Sequence, residues 1–312
     1  MAKNIEFSRY KNKRSIVLEN ELIRAEFIPD PGGKMVSLIS KSSGYEFLVQ
    51  RSGGEYKEVP FDGMYTDGEC SGYDDMFPTI DTCEYMENPW KGIKMADHGE
   101  VWSLPWDYKI ENGFVDFLVK GVRFPYELKK RVSIAADNVL RLSYSLQNKS
   151  EHDFEFLWAG HFMFNIEEGT RVVVPGECKK VISILSNSNR TFGEILDWPI
   201  FTDTKGGTYR ADISRSPLIK GFEKYYFQNK LSQGRCELHY PEDDKRLVLS
   251  FSSQTVPYLG ILMNENGWDN LYNIFIEPCT VCYDRPDVAK LHGQVSKVSA
   301  WGEYEWYIDL TL

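Results

Sequence analysis

The 312-residue sequence has little that suits a membrane protein or a nucleic-acid-binding protein. No window approaches the uninterrupted apolar run that a transmembrane helix requires, and the N-terminal residues lack the apolar segment of a signal peptide. Lys and Arg number 36 against 46 Asp and Glu, so the net charge is −10, whereas nucleic-acid-binding proteins carry a basic surface. These absences predict a cytoplasmic protein with neither nucleic-acid nor membrane partners.

Cysteine is sparse and the common cofactor motifs are missing. Six cysteines are spread along a chain without a secretory signal, which favours free thiols over a disulfide framework. Cys279 and Cys282 have C-x-x-C spacing, but no second cysteine pair or nearby histidine completes a metal site, so we expect a structural role. Glycine-rich phosphate-binding motifs and the G-x-S-x-G element of many hydrolases are also missing.

Helical periodicity is nearly absent, while two-residue alternation of apolar and polar residues recurs along the whole chain. Examples are Ile23 to Phe27 and Leu140 to Leu146, and Asn112-Gly113 is a good hairpin turn. Turn signals at short intervals predict on the order of 25 strands, enough for two stacked sheets. We therefore predict one all-β domain over residues 1–312, a large antiparallel β-sandwich, with short helices near Phe192 and Pro286.

Aromatic residues make up 14% of the chain, which is consistent with a β-rich core, with aromatic walls around a ligand, or with both. The least β-like stretch runs from Glu55 to Trp106 and is dense in Gly, Asp, Pro and aromatics. In a compact β protein, an irregular segment of this length usually serves a function.

Two of the five histidines are candidates for chemistry. His98 lies near the end of the irregular segment, and Gly99 after it allows the backbone to approach a ligand closely. A surface loop histidine is the alternative. His161 ends a strand that is apolar on both faces, where a hydrogen-bonded core histidine and a catalytic one are about equally expected.

Several carboxylates and tryptophans are the other candidates. Glu277 follows an aromatic and β-branched run, so burial would raise its pKa and suit it to proton transfer, although a solvent-facing strand end is common before proline. Asp74 and Asp75 are adjacent, so at most one of them need face a site, and an Asp-rich turn is an equally good interpretation. Trp268 and other tryptophans near these residues suit either a carbohydrate pocket or core packing.

The order of these motifs resembles the galactose mutarotase-like (aldose 1-epimerase) superfamily over nearly the whole chain. The segments that carry the resemblance are the N-terminal hairpin from Leu18 with its Gly32-Gly33 turn, His98-Gly-Glu with Pro105-Trp106, the strand ending at His161, Ile276-Glu277-Pro, and Trp301-Gly-Glu-Tyr-Glu-Trp-Tyr. This resemblance implies an antiparallel supersandwich and cofactor-free interconversion of the α and β anomers of a free sugar. By the same resemblance, Glu277 is the base at the anomeric hydroxyl, His161 is the acid at the ring oxygen and His98 polarises the sugar.

The sequence departs from galactose mutarotases proper around the substrate. The Asn-Arg motif that precedes the first histidine is replaced by Gly72-Tyr-Asp-Asp, and Glu100 stands where the family has a second glycine after His-Gly. Our candidates for contacts to sugar hydroxyls are Asp74, Asp75, Glu100, Arg123 and Trp268.

Two other functions remain open from the sequence. One is a non-catalytic carbohydrate-binding protein of the same fold. The other is a hexose-6-phosphate epimerase, in which Arg51, Lys91, Lys94 and Arg123 would hold the phosphate. The acidic net charge gives this second alternative no long-range electrostatic help.

Overall fold

Strands dominate the residues that the structure describes, which are 4–203, 205–241 and 245–312 of a computed structural model. In chain order the strands are β1 (Asn4–Tyr10), β2 (Lys13–Glu19), β3 (Ile23–Ile28), β4 (Lys34–Ser40), β5 (Tyr45–Glu46), β6 (Tyr73–Met76), β7 (Cys83–Glu84), β8 (Lys94–Met95), β9 (Asp107–Glu111), β10 (Phe114–Lys120), β11 (Tyr126–Ala136), β12 (Val139–Asn148), β13 (Phe154–Phe156), β14 (Ala159–Asn165), β15 (Arg171–Val173), β16 (Lys180–Ser186), β17 (Ile195–Asp197), β18 (Ile200–Thr202), β19 (Thr208–Arg210), β20 (Gly221–Phe227), β21 (Gly234–His239), β22 (Arg246–Phe251), β23 (Tyr258–Glu265), β24 (Tyr272–Cys279), β25 (Ser296–Val298) and β26 (Glu303–Thr311). The helical elements of these residues are α1 (Pro286–Leu291) and short 3₁₀ turns at Tyr65–Asp67, Val101–Ser103 and Pro217–Ile219. No helix in this part of the chain is long and apolar enough to cross a membrane.

Two large antiparallel sheets form the sandwich. The 12-stranded sheet has the order β1-β2-β3-β4-β6-β14-β24-β23-β20-β16-β17, with β5 paired to β4. The 8-stranded sheet has the order β15-β21-β22-β26-β12-β11-β10-β9. The predicted all-β antiparallel sandwich is therefore confirmed.

The main hydrophobic core lies between the two sheets. Phe27 of the larger sheet and Phe117 of the smaller one have ring centres 5.9 Å apart, and Tyr73 and Tyr144 share a hydrogen bond across the gap. We call the side of the 12-stranded sheet that faces this core its inner face. A second cluster of buried residues, which includes Met163, Tyr226 and Phe275, covers the opposite, outer face. Because both faces at the centre of the sheet are covered, the side chains on both faces of its central strands are buried.

The structure confirms several of the local predictions made from the sequence and contradicts one of them. The alternation at Leu140 to Leu146 is confirmed, since buried and half-buried residues alternate along β12. The hairpin at Asn112-Gly113 joins β9 to β10, and the helix near Pro286 is α1.

The helix expected near Phe192 is wrong. Gly193 has a left-handed φ of 82°, and its N–H donates to the carbonyl of Ser183 at 2.8 Å. The residues that follow pair with β16 as the edge strand β17. Five residues offer too few internal hydrogen bonds to hold a helix against this pairing.

A buried ion pair joins the two sheets through the core. Lys130 of β11 contacts Asp75 of β6 at 2.7 Å, and both side chains are fully buried. Asp75 also accepts hydrogen bonds from Tyr73 and from the indole of Trp158, while Lys130 donates to the carbonyl of Gly33 at 2.6 Å. If either partner were removed, the remaining charge would stay buried without water to solvate it.

Replacing one partner of this pair should destabilise the fold. Lys130→Met leaves the Asp75 carboxylate buried without a counter-charge, and we expect the free energy of unfolding to fall by about 3–5 kcal/mol. Denaturant titration followed by tryptophan fluorescence would measure the change. Lys129→Met, next to it on the exposed side of β11, serves as the control and should change stability by less than about 1 kcal/mol. Equal effects of the two substitutions would contradict the prediction.

Candidate active site

Strand alternation brings four charged or ionisable residues to the outer face of the 12-stranded sheet. Asp74 of β6 is paired in register with His161 of β14. Glu277 lies on β24, the next strand of the sheet, and Lys224 lies on β20, which β23 separates from β24. Their chain neighbours, Asp75, Phe162, Ile276 and Tyr225, belong to the inner face. Each strand therefore contributes one residue to the core and the next residue to the site.

A cleft of about 170 Å³ opens over this row of residues. Its polar lining consists of Thr66, Asp81, His98, His161, Lys224 and Asp284. Aromatic and aliphatic side chains form the remaining walls: Tyr65, Ile80, Leu185, Phe222, Leu262, Trp268 and Phe275. A few convergent polar groups among apolar walls are typical of a small-molecule site.

His98 reaches the cleft from the irregular segment by means of two consecutive left-handed residues. His98 has φ 58° and Gly99 has φ 79°. The N–H of His98 donates to the carbonyl of Ile80 at 2.5 Å, and the N–H of Glu100 donates to that of Phe77 at 2.7 Å. A Cβ on Gly99 would lie 2.1 Å from the Phe77 carbonyl oxygen, so only glycine allows this approach.

His161 lines the cleft, and the fully buried Glu277 lies beside it. His161 Nε2 lies 3.7 Å from Glu277 Oε1, and both side chains are almost completely buried. Among the described residues, neither His161 Nδ1 nor Glu277 Oε1 has a hydrogen-bond partner. Unsatisfied buried polar atoms are rare in folded proteins and call for an explanation, of which a ligand is one.

The surroundings move the pKa values of these two groups toward each other. Burial lowers the pKa of His161 well below its usual 6.5, with further lowering from His98 and Lys224. Burial raises the pKa of Glu277, and Asp284 adds to the effect against the opposing charge of Lys224. These surroundings therefore favour a neutral His161.

Lys224 links Glu277 to a second carboxylate. Its ammonium lies 2.9 Å from Glu277 Oε2 and 2.8 Å from Asp284 Oδ1. The hydroxyl of Tyr226 donates to the same Asp284 oxygen at 2.7 Å, and a Cβ on Gly260 would lie 2.8 Å from the Tyr226 ring, so the glycine makes room for it. Although burial acts to lower the pKa of Lys224, Asp284 and Glu277 raise it well above its usual value. Lys224 is thus a permanent cation.

Tyr65 and Asp74 support the two histidines from behind. The Tyr65 ring stacks on His98 with ring centres 4.4 Å apart and meets the edge of His161 at 5.3 Å. Its hydroxyl donates to Asp74 Oδ2 at 2.9 Å, and Lys34 contacts the same oxygen at 2.6 Å. Asp74 is therefore next to the site, but its Oδ2 is already bound to Tyr65 and Lys34. Tyr65 in turn packs against both histidines and fixes their positions.

The other candidates for sugar contacts lie in different places. Trp268 lines the cleft, with its ring centre 6.4 Å from that of Phe275. Asp75 faces the inner core, as described above, and is not in the cleft. Glu100 is fully buried and accepts hydrogen bonds from the backbone of Val122 and Arg123 and from Tyr126, which hold the following turn. The Arg123 guanidinium pairs with Asp62 at 2.8 Å, outside the cleft lining.

Sequence reasoning missed four residues of the site: Tyr65, Lys224, Tyr226 and Asp284. One signal was present for Lys224, which occupies a buried position in the apolar strand from Phe222 to Phe227. A charged residue at such a position is rarely buried unless it is paired. Asp284 lies in a turn beyond β24, where no local pattern predicts its contact with β20.

Sequence profiles of two families match the chain. The aldose 1-epimerase profile matches residues 81–260, more than half of the chain. The profile of a domain of unknown function matches residues 4–99. No curated protein sequence matches this chain.

Solved structures share the fold over nearly the whole chain. A galactose mutarotase-like protein from Lactobacillus casei is 16% identical, with a TM-score of 0.71, and the match covers 95% of this chain and 99% of that one. A galactose mutarotase related enzyme from Lactobacillus acidophilus is 16% identical, with a TM-score of 0.68 and coverage of 95% and 96%. A galactose mutarotase-like protein from Clostridium acetobutylicum is 15% identical, with a TM-score of 0.65 and coverage of 99% and 98%. At this identity the likeness establishes the fold.

Replacing Gly99 should disturb the loop that carries His98. Gly99→Ala adds a Cβ to a left-handed residue and also drives it into Phe77, so we expect a loss of more than about 2 kcal/mol in unfolding free energy. Gly92→Ala is the matched control, because Gly92 has φ 84° but nothing within 4 Å of the added Cβ. That variant should lose only about 1–2 kcal/mol. Denaturant titration of both variants measures the difference. Equal losses of unfolding free energy would show that the clash with Phe77 does not contribute.

His161 should stay neutral in the folded protein at mildly acidic pH. Its unfolded form takes up a proton near pH 6.5 and its folded form does so only at much lower pH, so acidification favours unfolding. The contribution to stability is complete above about pH 6.5 and falls below it by up to about 1.4 kcal/mol per pH unit. Denaturation of wild type and His161→Gln from pH 7.5 downward isolates this contribution, and NMR of the imidazole follows the proton directly. A titration midpoint at or above the usual value would contradict the prediction.

Proposed function

The chain belongs to the aldose 1-epimerase family, and we propose that it interconverts the α and β anomers of a free sugar by acid and base catalysis in the cleft. The proposal rests above all on one observation. Glu277 Oε1, which has no hydrogen-bond partner among the described residues, lies 3.7 Å from the imidazole of His161, and His161 and His98 both line the cleft.

This separation suits the two oxygens that must exchange protons. The anomeric hydroxyl and the ring oxygen are bonded to the same carbon, so an acid and a base acting on them must be neighbours. Glu277 Oε1 accepts the hydroxyl proton, the O–H electron pair forms the carbonyl at C1, and the bond from C1 to the ring oxygen breaks. In the reactive form the proton shared by this pair is on His161, which gives it to the ring oxygen and is left neutral, the form that its buried surroundings favour. Rotation about C1–C2 and closure on the other face reverse these transfers.

The opposing pKa shifts support a reversible reaction. One proton shared between Glu277 and His161 is sufficient for a full cycle, since each group gives back on closure what it took on opening. A raised carboxyl pKa makes Glu277 a stronger base, and a lowered imidazole pKa makes protonated His161 a stronger acid. Both changes favour the two proton transfers, which ring closure then reverses.

The walls of the cleft favour an uncharged sugar over a phosphorylated one. Trp268, Phe275 and Phe222 offer aromatic surface to the apolar faces of a sugar ring. Among the described residues, the only lysine or arginine in the cleft lining is Lys224, which two carboxylates already neutralise. Arg51 pairs with Asp269, and Lys94 and Arg123 both pair with Asp62, outside the lining.

The proposal predicts that the purified protein accelerates mutarotation. Optical rotation of freshly dissolved α-D-glucose, α-D-galactose, pentoses and deoxy sugars should relax faster with the protein than without it. Glu277→Gln removes the base while keeping the shape of the side chain, and we expect the acceleration to fall by about 10²–10⁴-fold.

The control for this substitution is Glu265→Gln. Glu265 is also a buried carboxylate, but it pairs with Arg215 outside the cleft, so the variant should keep wild-type activity per folded molecule. If no sugar of the panel mutarotates faster with the protein, but calorimetry shows saturable sugar binding, the function is that of a non-catalytic sugar-binding protein. Preference for glucose 6-phosphate over glucose would favour the phosphorylated substrate instead.

A further inference from the structure

Lys224 has one donor left for a ligand. An ammonium group carries three N–H donors, and Glu277 and Asp284 accept two of them. The side chain is 5% exposed and lines the cleft. Asp284 likewise uses one oxygen, Oδ1, for Lys224 and Tyr226, while Oδ2 accepts no hydrogen bond from the described residues.

The two other fully buried lysines that we have described have no such access. Lys130 is enclosed by Asp75, the Gly33 carbonyl and the rings of Trp106, Tyr73 and Phe117. Lys34 pairs with Asp74 behind Tyr65. Neither side chain lines the cleft. A buried ammonium that serves only to balance charge needs no opening, so the exposure of Lys224 indicates a second role.

The charge balance of the cluster also fits a role in the reaction. One lysine is shared by two carboxylates, so the three side chains carry one net negative charge when both acids are ionised. If Asp284 were absent, Lys224 would fully neutralise Glu277 and weaken it as a base. Sharing the cation lets Lys224 stay beside Glu277 without removing its ability to take a proton.

We propose that Lys224 is a catalytic residue that donates its third N–H to the anomeric oxygen of the sugar, and that Asp284 is the positioning residue that holds Lys224 there. This inference rests on the proposed function and adds a group to the same site. When Glu277 takes the hydroxyl proton, negative charge develops on the anomeric oxygen until the carbonyl forms. The fixed ammonium stabilises that charge, and its own protons stay in place throughout. Preorganised donors of this kind, aimed at developing charge, are among the strongest contributions to catalysis.

The test is a charge-balanced double variant, Lys224→Met with Asp284→Asn. It removes one positive and one negative charge together, so the net charge of the groups around Glu277 is unchanged although its nearest cation is lost, and Asn retains an oxygen for Tyr226. Mutarotation kinetics are measured by polarimetry over a range of pH with the sugar that wild type converts fastest. We expect kcat to fall by about 10²–10³-fold, with a smaller change in KM.

The pH profile separates catalysis from simple positioning. If Lys224 only adjusts Glu277, the lost activity should return at another pH, because the pKa of the base has moved and nothing else is missing. We expect no such recovery at any pH. Recovery to within a few-fold of wild type would overturn the proposal. The charged and titratable groups that face Glu277 are Lys224, Asp284, Tyr226, His161, His98 and Cys279.

The matched control is Lys130→Met with Asp75→Asn, the same exchange at a buried pair on the inner face. It should keep wild-type kcat per folded molecule even if it unfolds more easily. Circular dichroism and thermal melting of both double variants exclude loss of fold as the cause of lost activity. If both variants lose kcat equally, the effect comes from core disruption and the proposal fails.

The same variants distinguish this inference from the proposed function. If wild type binds a sugar of the panel in calorimetry but does not convert it, Lys224 must still contribute to binding, and the double variant should bind about tenfold more weakly or worse. Unchanged affinity would overturn the Lys224 contact and leave the binding function intact. Wild-type protein that neither binds nor converts any sugar of the panel would overturn both.

Discussion

The structure depends on one constraint: neighbouring residues of a β-strand point to opposite faces of its sheet. At the centre of the 12-stranded sheet both faces are covered, the inner one by the second sheet and the outer one by the irregular segment and its neighbours. A strand there must therefore satisfy two environments at once. In β24, Ile276 packs into the core while Glu277 beside it faces the site, and β14 does the same with Phe162 and His161.

Both faces of the sheet contain buried charges, and the charges on the two faces are balanced differently. On the inner face, Asp75 has a single dedicated lysine and hydrogen bonds from Tyr73 and Trp158, so its charge is balanced and its Oδ1 is fully used. On the outer face, one lysine serves two carboxylates, and among the described residues Glu277 Oε1 has no hydrogen-bond partner. The inner carboxylate is thus satisfied within the protein, whereas the outer one retains an oxygen without a hydrogen bond. Removing a partner from either would leave an uncompensated buried charge.

The sequence carried enough information for the fold class and for the strands with one half-buried face, because alternation in β12 directly reflects burial there. It carried less for the buried central strands, whose residues are apolar on both parities. Asp74 and Asp75 show the limit: alternation implied that they face opposite ways, but which one faces the site depends on the pairing of β6 with β14. The sequence indicated Glu100 and Arg123 as candidates for sugar contacts, whereas the backbone of a turn and Asp62 occupy their side chains. Lys224 and Asp284 are 60 positions apart in the chain and meet only through tertiary structure.

The combination of rigid strands with a closely fixed loop explains how the segment from Glu55 to Trp106 can hold a histidine in the candidate site. Tyr65 and His98 belong to this segment. The N–H of His98 donates to the Ile80 carbonyl, the N–H of Tyr65 donates to Asp97, and the two rings stack, so both residues have little freedom. His161, Glu277 and Lys224 belong to hydrogen-bonded strands and are fixed by register. Every group of the site is thus positioned before a ligand arrives, and binding energy need not be spent on ordering them.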